Sequence, residues 1–488
     1  MKNYIYIISA FLFIFLQSCK KELEKVPMII TTNQLTVETD TISYTVVALD
    51  SLKINGTITA TQPGHSYSYQ WKAWSQLGTD VTILSTEKDL NIKVTLAPLN
   101  YYFLEYVVKD ETTGVSFFAP LMRLTVQPGF YEGWLVSSNK NNNGMLSFIR
   151  NDDVLFLSPA EDINEKTYNG EAISAFSSVD FFASFSGLTA QIMYITKEGA
   201  YRFDATSFLE MKGGADLFES KKTNFSASAF QGFSGIYTDQ LLIDEGEIYG
   251  AYGGSGTITF SESIPGDYYA FPYLFLLGGA ANNMAVYDNK NKRFLNVASQ
   301  TKSLSVMTGT GSYPVDNVGK TMIAADFGPG VEYFCVMYDE TTGKYYIYSL
   351  KGSVSSNNAG INQEILNSPE LNTATSFATS SLLPHMYYAS GNKIYLYDIN
   401  ANSSSLVYTF PDGVIIKDME MFKYPRKQIA LQNDPLYNKR LVVGVDNGAN
   451  GEVYYLDLTD LGAVLNNTYS QKFTGFGQIV HLNYRNQQ

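Results

Sequence analysis

The chain of 488 residues is longer than a single ordinary hydrophobic core supports, so two or more domains are expected. Its net charge of −13 argues against nucleic-acid binding, which needs a basic surface. Tyrosine (36) and phenylalanine (30) are abundant, and long amphipathic helical patterns are scarce. Aromatic and β-branched residues favour strands, so the sequence predicts an all-β protein. With only two cysteines, Cys19 and Cys335, a disulfide framework is excluded, and Cys335 is expected to be a small buried apolar residue.

The first 18 residues have the pattern of a secretory signal peptide. Lys2 is followed by an apolar run from Tyr4 to Leu16. This run has about 13 residues, whereas a membrane-spanning helix needs about 20. Residues 1–18 are therefore predicted to be a signal peptide.

The sequence around Cys19, Leu16-Gln17-Ser18-Cys19, resembles the lipobox of bacterial lipoproteins. The resemblance implies that Cys19 is lipidated, that it becomes the mature N-terminus, and that residues 19–27 form a tether at the outer membrane. The charged run Lys20–Glu24 is loosely similar to the signal that sends such lipoproteins to the cell surface. An ordinary solvated tether is the equally weighted alternative.

Residues 28–127 show short strand patterns separated by polar turns. Tyr67–Trp71 alternates aromatic and polar residues, as a half-buried central strand does. About seven strands in about 100 residues predict an immunoglobulin-like β-sandwich. Trp71 is expected in its core and Trp74 at its surface, which makes Trp74 a candidate ligand contact. The Tyr-x-Trp strand and the V-x-D-x-x-T-G ending at 108–114 resemble the PKD family.

Residues 130–488 begin after the break at Gln127-Pro128-Gly129 and are built from repeated hairpins. The clearest one is Leu441–Leu458, in which two apolar runs flank an Asn/Asp/Gly turn. Repeats of about 50 residues with this pattern predict a seven-bladed β-propeller. The blades are expected to begin near residues 130, 186, 235, 281, 330, 384 and 436. Five aspartates that follow an apolar residue are predicted to stabilise turns: Asp204, Asp288, Asp339, Asp398 and Asp457.

The lipobox, the PKD-like sandwich and the C-terminal repeats together resemble the PKD-like lipoproteins of Bacteroidetes. The resemblance implies a protein without assigned catalysis that accompanies a TonB-dependent outer-membrane transporter and its surface lipoprotein partner. It also implies nutrient capture at the cell surface. The resemblance does not identify the nutrient, and a glycan and a peptide are the candidate ligands.

Motifs for catalysis or metal binding are missing from the sequence. His65, His385 and His481 are far apart, and no zinc-protease, nucleophile-elbow or phosphate-loop motif is present. No metal and no cofactor are therefore predicted. The densest aromatic run, Asp267–Phe275, is expected to be a packed strand at an edge or a bulge because it contains Pro272. Tyr269 and Tyr273 are candidate ligand contacts if they reach the rim of the propeller.

Three hypotheses for function follow. The leading one is a non-catalytic surface lipoprotein that binds a nutrient or a transporter subunit. The second is a propeller glycoside hydrolase or lyase with a carboxylate pair at the central channel. The third is a structural component of an envelope assembly. Acidic residues that converge about 5–10 Å apart at the channel favour the hydrolase, and an apolar patch of several hundred Å² favours a partner surface.

Overall fold

The computed structural model describes residues 32–485 except 77, 79, 178–190, 221, 233–239, 252–258, 278–282, 299–301, 353–357, 424–433 and 449. The chain divides between Gly129 and Phe130 into two compact units. Among the described residues, every helix is too short or too polar to cross a membrane. Strands dominate both units, so the prediction of an all-β protein is confirmed.

The described part of the first unit is a β-sandwich of ten strands. They are β1 Leu35–Glu38, β2 Ser43–Val47, β3 Ser51–Ile54, β4 Thr57–Ala60, β5 Tyr67–Ser75, β6 Thr82–Ser85, β7 Leu90–Lys93, β8 Leu99–Asp110, β9 Ser116–Phe118 and β10 Met122–Gln127. The large sheet has the order β2-β10-β8-β5-β6, with β9 paired to β8, and β1-β4 and β3-β7 form two small sheets. About seven strands were predicted, and the bend at Asn55-Gly56 is one reason for the larger number, since it separates β3 from β4.

The sandwich core is organised around Trp71, as predicted. Trp71 is fully buried and stacks on Tyr106 with 4.1 Å between ring centroids. Its indole N–H donates to the carbonyl of Glu87 over 3.2 Å, which satisfies the one polar group of the ring. The same cluster contains Leu52 from a small sheet and Leu124 from the large one, so the sheets share one core.

The second unit is a β-propeller of seven sheets. Its strands are β11 Gly133–Lys140, β12 Asn143–Arg150, β13 Leu155–Phe156, β14 Ala172–Ser177, β15 Gln191–Thr196, β16 Gly199–Asp204, β17 Glu210–Gly213, β18 Ala227–Gly232, β19 Gln240–Asp244, β20 Glu247–Ala251, β21 Phe275–Leu276, β22 Asn283–Asp288, β23 Arg293–Ala298, β24 Ser303–Val306, β25 Thr321–Phe327, β26 Glu332–Asp339, β27 Lys344–Lys351, β28 Ala359–Glu364, β29 Ser376–Thr379, β30 His385–Ser390, β31 Lys393–Asp398, β32 Ser403–Thr409, β33 Val414–Met421, β34 Arg440–Asn447, β35 Asn450–Asp457, β36 Gln471–Phe476 and β37 Gln478–Arg485. One short helix, α1 Pro159–Asn164, and 3-10 turns at Gly214–Leu217, Pro329–Val331, Leu371–Thr373 and Leu465–Asn467 complete the described elements.

Blades two to seven each run outward in chain order, as in β14-β15-β16-β17, whereas blade one is β37-β11-β12-β13. The last described strand thus completes the first sheet and closes the ring. The innermost strands β18, β14, β37, β33, β29 and β25 adjoin one another in that order. The fourth blade shares one apolar cluster with the third and fifth blades, which links the two ends of this series.

The predicted number of blades is confirmed, but the predicted starting points of blades two to seven are wrong by one strand. The hairpins read from the sequence are the second and third strands, such as β34 and β35. Each of these blades begins with a preceding inner strand, such as β33, which pairs with β34. Several inner strands are short or irregular, so they gave a weaker pattern than the apolar hairpins.

Four of the five aspartates stabilise turns, as predicted. In Asp204, Asp288, Asp339 and Asp398 one carboxylate oxygen accepts the backbone N–H groups of the residues two and three positions later, over 2.9–3.2 Å. Asp457 instead forms an ion pair with Arg440, with 2.7 Å between the Arg440 Nε and the carboxylate. Each of the five aspartates therefore has a structural role, four in turns and one in an ion pair.

Candidate functional site

A cavity of about 400 Å³ lies at the centre of the propeller. It is lined by residues from or beside the innermost strand of every blade: His481, Phe176, Phe230, Tyr273, Phe327, Phe377 and Glu420, from the first to the seventh blade in turn. Aromatic rings therefore form much of its wall. The polar groups among them determine what the cavity binds.

The acidic groups of the cavity come mainly from β33. In its sequence Lys-Asp-Met-Glu-Met, Met419 and Met421 are buried in the apolar core. Side chains on a strand point alternately to opposite faces. Asp418 and Glu420 accordingly share the other face and line the cavity.

Asp326 and Lys423 neutralise each other at one wall. Lys423 Nζ lies 2.6 Å from Asp326 Oδ2 and 2.7 Å from the carbonyl oxygen of Thr379. The same carboxylate oxygen accepts the backbone N–H of Thr379 over 2.7 Å. Burial lowers the pKa of Lys423, and the nearby Asp326 charge opposes that shift. The pair joins three blades and leaves little of the lysine charge for a ligand.

Asp418 is held in the same way by neighbouring blades. Its Oδ2 accepts the backbone N–H of Leu482 over 2.7 Å, and its Oδ1 accepts that of Met419 over 2.9 Å. The Ser376 hydroxyl donates to Oδ1 over 3.3 Å. Asp418 therefore connects the seventh blade to the first and the sixth.

Glu420 is in a different situation from the other two carboxylates. Burial raises its pKa well above the usual value, and the charges of Asp418 and Asp326 raise it further. A hydrogen bond from the Tyr484 backbone N–H opposes this increase. The protonated form is favoured, and a protonated carboxyl donates one hydrogen bond. Glu420 thus brings a proton donor to the cavity.

His481 brings an acceptor. Its Nδ1 is buried without a hydrogen-bond partner among the described residues, and the ring is hydrogen-bonded to the backbone of Ala175. Burial lowers the pKa of His481, while the charge of Asp418 opposes the shift. A neutral imidazole that donates from Nε2 keeps a free lone pair on Nδ1. Such a buried acceptor is costly unless a ligand or water satisfies it.

The structure separates the ligand contacts predicted from sequence. Tyr273 lines the cavity, where burial raises the pKa of its hydroxyl. Tyr269 lies outside the lining, with its side chain 52% exposed. Trp74 belongs to the first unit, where it is half-buried and stacks on Phe103 with 5.5 Å between centroids. Cys19 lies outside the described residues.

The run Asp267–Phe275 was predicted to be a packed strand at an edge or a bulge. The edge position is confirmed, since β21 is the edge strand of its sheet and the innermost strand of the fourth blade. The strand itself is shorter than predicted, because only Phe275–Leu276 forms a ladder and an isolated bridge joins Ala270 to Asp288. Pro272 lacks the N–H that a ladder needs, and it too lines the cavity.

Sequence reasoning missed Glu420 and His481. The histidines were judged by their mutual spacing, which carries no information when a ring of blades gathers residues from distant positions. The useful signal was the alternation of acidic residues with methionine in β33. No group of three or more His, Cys, Asp or Glu among the described residues is arranged to hold a metal ion.

A model of the PKD-like family matches residues 29–175, which comprise the described sandwich, the first-blade strands β11–β13 and most of β14. The search of curated proteins finds no match. Solved structures to which this chain is similar include a luciferin-regenerating enzyme, at 13% identity and a TM-score of 0.31 over 51% of this chain and 76% of that one. The extracellular domain of a putative one-component system from B. thetaiotaomicron is similar at 7% identity and a TM-score of 0.37, over 91% of this chain and 70% of that one. Likeness at this level carries no argument about function.

Proposed function

We propose that this protein is a non-catalytic, lipid-anchored surface protein of the outer membrane whose propeller binds a small polar nutrient in its central cavity. The observation that supports this most is the pairing of two unlike polar groups in one aromatic cavity. Glu420 offers a donor, and His481 Nδ1 is a buried acceptor without a partner in the described residues. Small-molecule sites combine apolar walls with a few such polar groups.

The envelope part of the proposal depends on the sequence alone. The Leu16–Cys19 lipobox supports lipidation, and the resemblance to PKD-like lipoproteins supports a TonB-dependent transporter and its surface lipoprotein as partners. A binding protein at that position delivers its ligand to the transporter. Pull-down from detergent-solubilised membranes through a tagged chain tests this, with the transporter subunit as the expected co-purifying protein. Recovery of the tagged chain alone after cross-linking would contradict it.

Ligand binding is tested by titration calorimetry of the purified mature protein with mono- and disaccharides and short peptides. We expect one ligand per chain. His481→Phe should weaken binding about 10- to 100-fold, since an unsatisfied polar group in a complex costs about 1–3 kcal/mol. Glu219→Gln, at an exposed position, is the matched control and should have no effect. Binding that is unchanged by His481→Phe and Glu420→Gln would place the ligand elsewhere and contradict the proposal.

A carboxylate-pair hydrolase is the second candidate, and a specific observation favours it. Asp326, Asp418 and Glu420 do converge at the channel, and Glu420 has the raised pKa of a general acid. Against this, both oxygens of Asp418 already accept hydrogen bonds from the fold. We expect no turnover on chromogenic glycosides and peptides. Turnover that Glu420→Gln abolishes and Glu219→Gln preserves would establish the hydrolase instead.

A further inference from the structure

Building on the proposed function, we infer that the central cavity selects ligands that carry an ammonium group, with Glu420 as the carboxylate that receives it. The aromatic wall contributes to holding the cation, and anionic ligands are rejected.

The described lining contains three carboxylates and a single lysine or arginine. That lysine, Lys423, is paired with Asp326 and with backbone oxygens. Asp418 and Glu420 remain, and no second cation in the described lining opposes them. An anionic ligand would therefore meet the charge of Asp418 without a counter-ion, which is strongly unfavourable in a buried site.

The two remaining carboxylates are not equivalent. Asp418 directs its oxygens to backbone N–H groups of β33 and β37. Glu420 lines the same wall and accepts one backbone hydrogen bond, from Tyr484, whereas Asp418 accepts hydrogen bonds from Met419, Leu482 and Ser376. It is consequently the group best placed to accept the N–H bonds of an ammonium, which are short and strong when the acceptor is charged.

Aromatic rings from several blades surround the same space. Phe176, Phe230, Phe377 and Tyr484 all line the cavity. The face of an aromatic ring attracts a cation within about 6 Å, and the attraction strengthens when the cation is removed from water. Neutral polyols gain from such rings too, but only a cation gains from both the rings and the carboxylate.

Because burial and the two aspartates raise the pKa of Glu420 and favour its protonated form, we expect binding of an ammonium to be accompanied by loss of a proton from this side chain. The charged groups that face it are Asp418, Asp326 and Lys423, with His481 and Tyr273 as neutral neighbours. In the empty cavity the proton on Glu420 relieves repulsion from the two aspartates. An incoming ammonium takes over that role, and the proton passes to solvent. Affinity should therefore rise with pH until the ligand amine itself loses its charge.

The test compares matched probes that differ in charge. Glucosamine, glucose and glucuronate form one set, and benzylamine, benzyl alcohol and benzoate form a second. We expect the amine of at least one set to bind at least tenfold more tightly than its neutral partner, with no binding of the anions. Calorimetry in buffers of different ionisation enthalpy should show release of close to one proton per amine bound.

Glu420→Gln should remove both the amine preference and the proton release, because the glutamine amide keeps the shape of the side chain but cannot ionise. Glu219→Gln should change neither. A preference for neutral or anionic probes, or an amine preference that survives Glu420→Gln, would overturn the inference while leaving the proposed function intact. Failure of all six probes and of the wider nutrient panel would contradict the proposed function itself.

Discussion

The carboxylate of Asp418 accepts the backbone N–H of Leu482 over 2.7 Å, and this bond joins the seventh blade to the strand that completes the first. Leu482 is fully buried, so its backbone N–H would have no water molecule as a partner if the carboxylate were removed. The Asp418 side chain therefore has two roles, because it joins the two blades and also lines the central cavity.

Asp418→Ala should lower the free energy of unfolding of the propeller by about 1–3 kcal/mol, because a buried N–H would be left without a partner. The midpoint of urea unfolding measures this. Asp412→Ala, in an exposed turn just before β33, is the control and should leave the midpoint unchanged. Equal midpoints for both variants would show that the Asp418 bond does not contribute to closure.

Removal of β37, by ending the chain after Phe476, should abolish cooperative melting of the propeller. Strand β37 pairs along its length with β11 and fills the inner position of the first blade. A ring of blades is stable only when each blade packs on two neighbours. Differential scanning calorimetry provides the measurement, and a chain ending at Arg485 is the control. A truncated chain that kept the melting temperature of the control would contradict closure by β37.

The sandwich should lose stability in acid through Asp110. Burial alone would raise the pKa of Asp110, but hydrogen bonds from Asn33, His65 and the N–H groups of Thr112 and Thr113 lower it to about 2. A lowered folded-state pKa stabilises the fold above the unfolded value of 3.8, and this contribution is lost as the pH falls towards 2.

Asp110→Asn should therefore destabilise the first unit at pH 6 and flatten the dependence of its melting temperature between pH 4 and pH 2. Near-ultraviolet circular dichroism reports the packing of Trp71 and follows this melting. The exposed Asp80→Asn is the control and should retain the acid dependence of the native chain. An unchanged slope in Asp110→Asn would assign the acid sensitivity to other groups.

Lipidation is tested at Cys19. Cys19→Ala should accumulate as an unprocessed precursor that incorporates no labelled palmitate and is lost from the outer-membrane fraction. Cys335→Ala is the matched control, because the Cys335 thiol is buried in the fifth blade and unavailable to acylation. Retention of Cys19→Ala in the outer membrane without an acyl chain would contradict the prediction.

The fold was more accessible from sequence than the site. Hairpins such as β34–β35 can be recognised from the sequence, because both strands are apolar and buried and the turn between them contains Asn and Gly. Trp71 could be assigned to the core because its strand alternates regularly. These are local patterns, and they require no knowledge of which strands meet.

The cavity could not be predicted because its chemistry is assembled by ring closure. Glu420, His481 and Tyr273 are distant in sequence and approach only because seven inner strands converge. Tyr273 and Tyr269 were both predicted as ligand contacts because they belong to the same aromatic run. The aromatic character of the run does not show which side chain faces the cavity and which faces solvent. Asp418 and Glu420 lie outside the repeated turn aspartates, which are the conspicuous acidic residues of the sequence.

Closure by β37 also has a consequence for the order in which the blades are completed during translation. Tyr484 donates a hydrogen bond to Glu132, which lies 352 positions earlier in the chain. At about 5–20 residues per second, roughly 20–70 seconds of translation separate the two. Throughout that interval the open edge of β11 has no strand to pair with, and an unpaired edge is a template for association with another chain. The first blade is thus the part of the propeller that stays incomplete longest during synthesis.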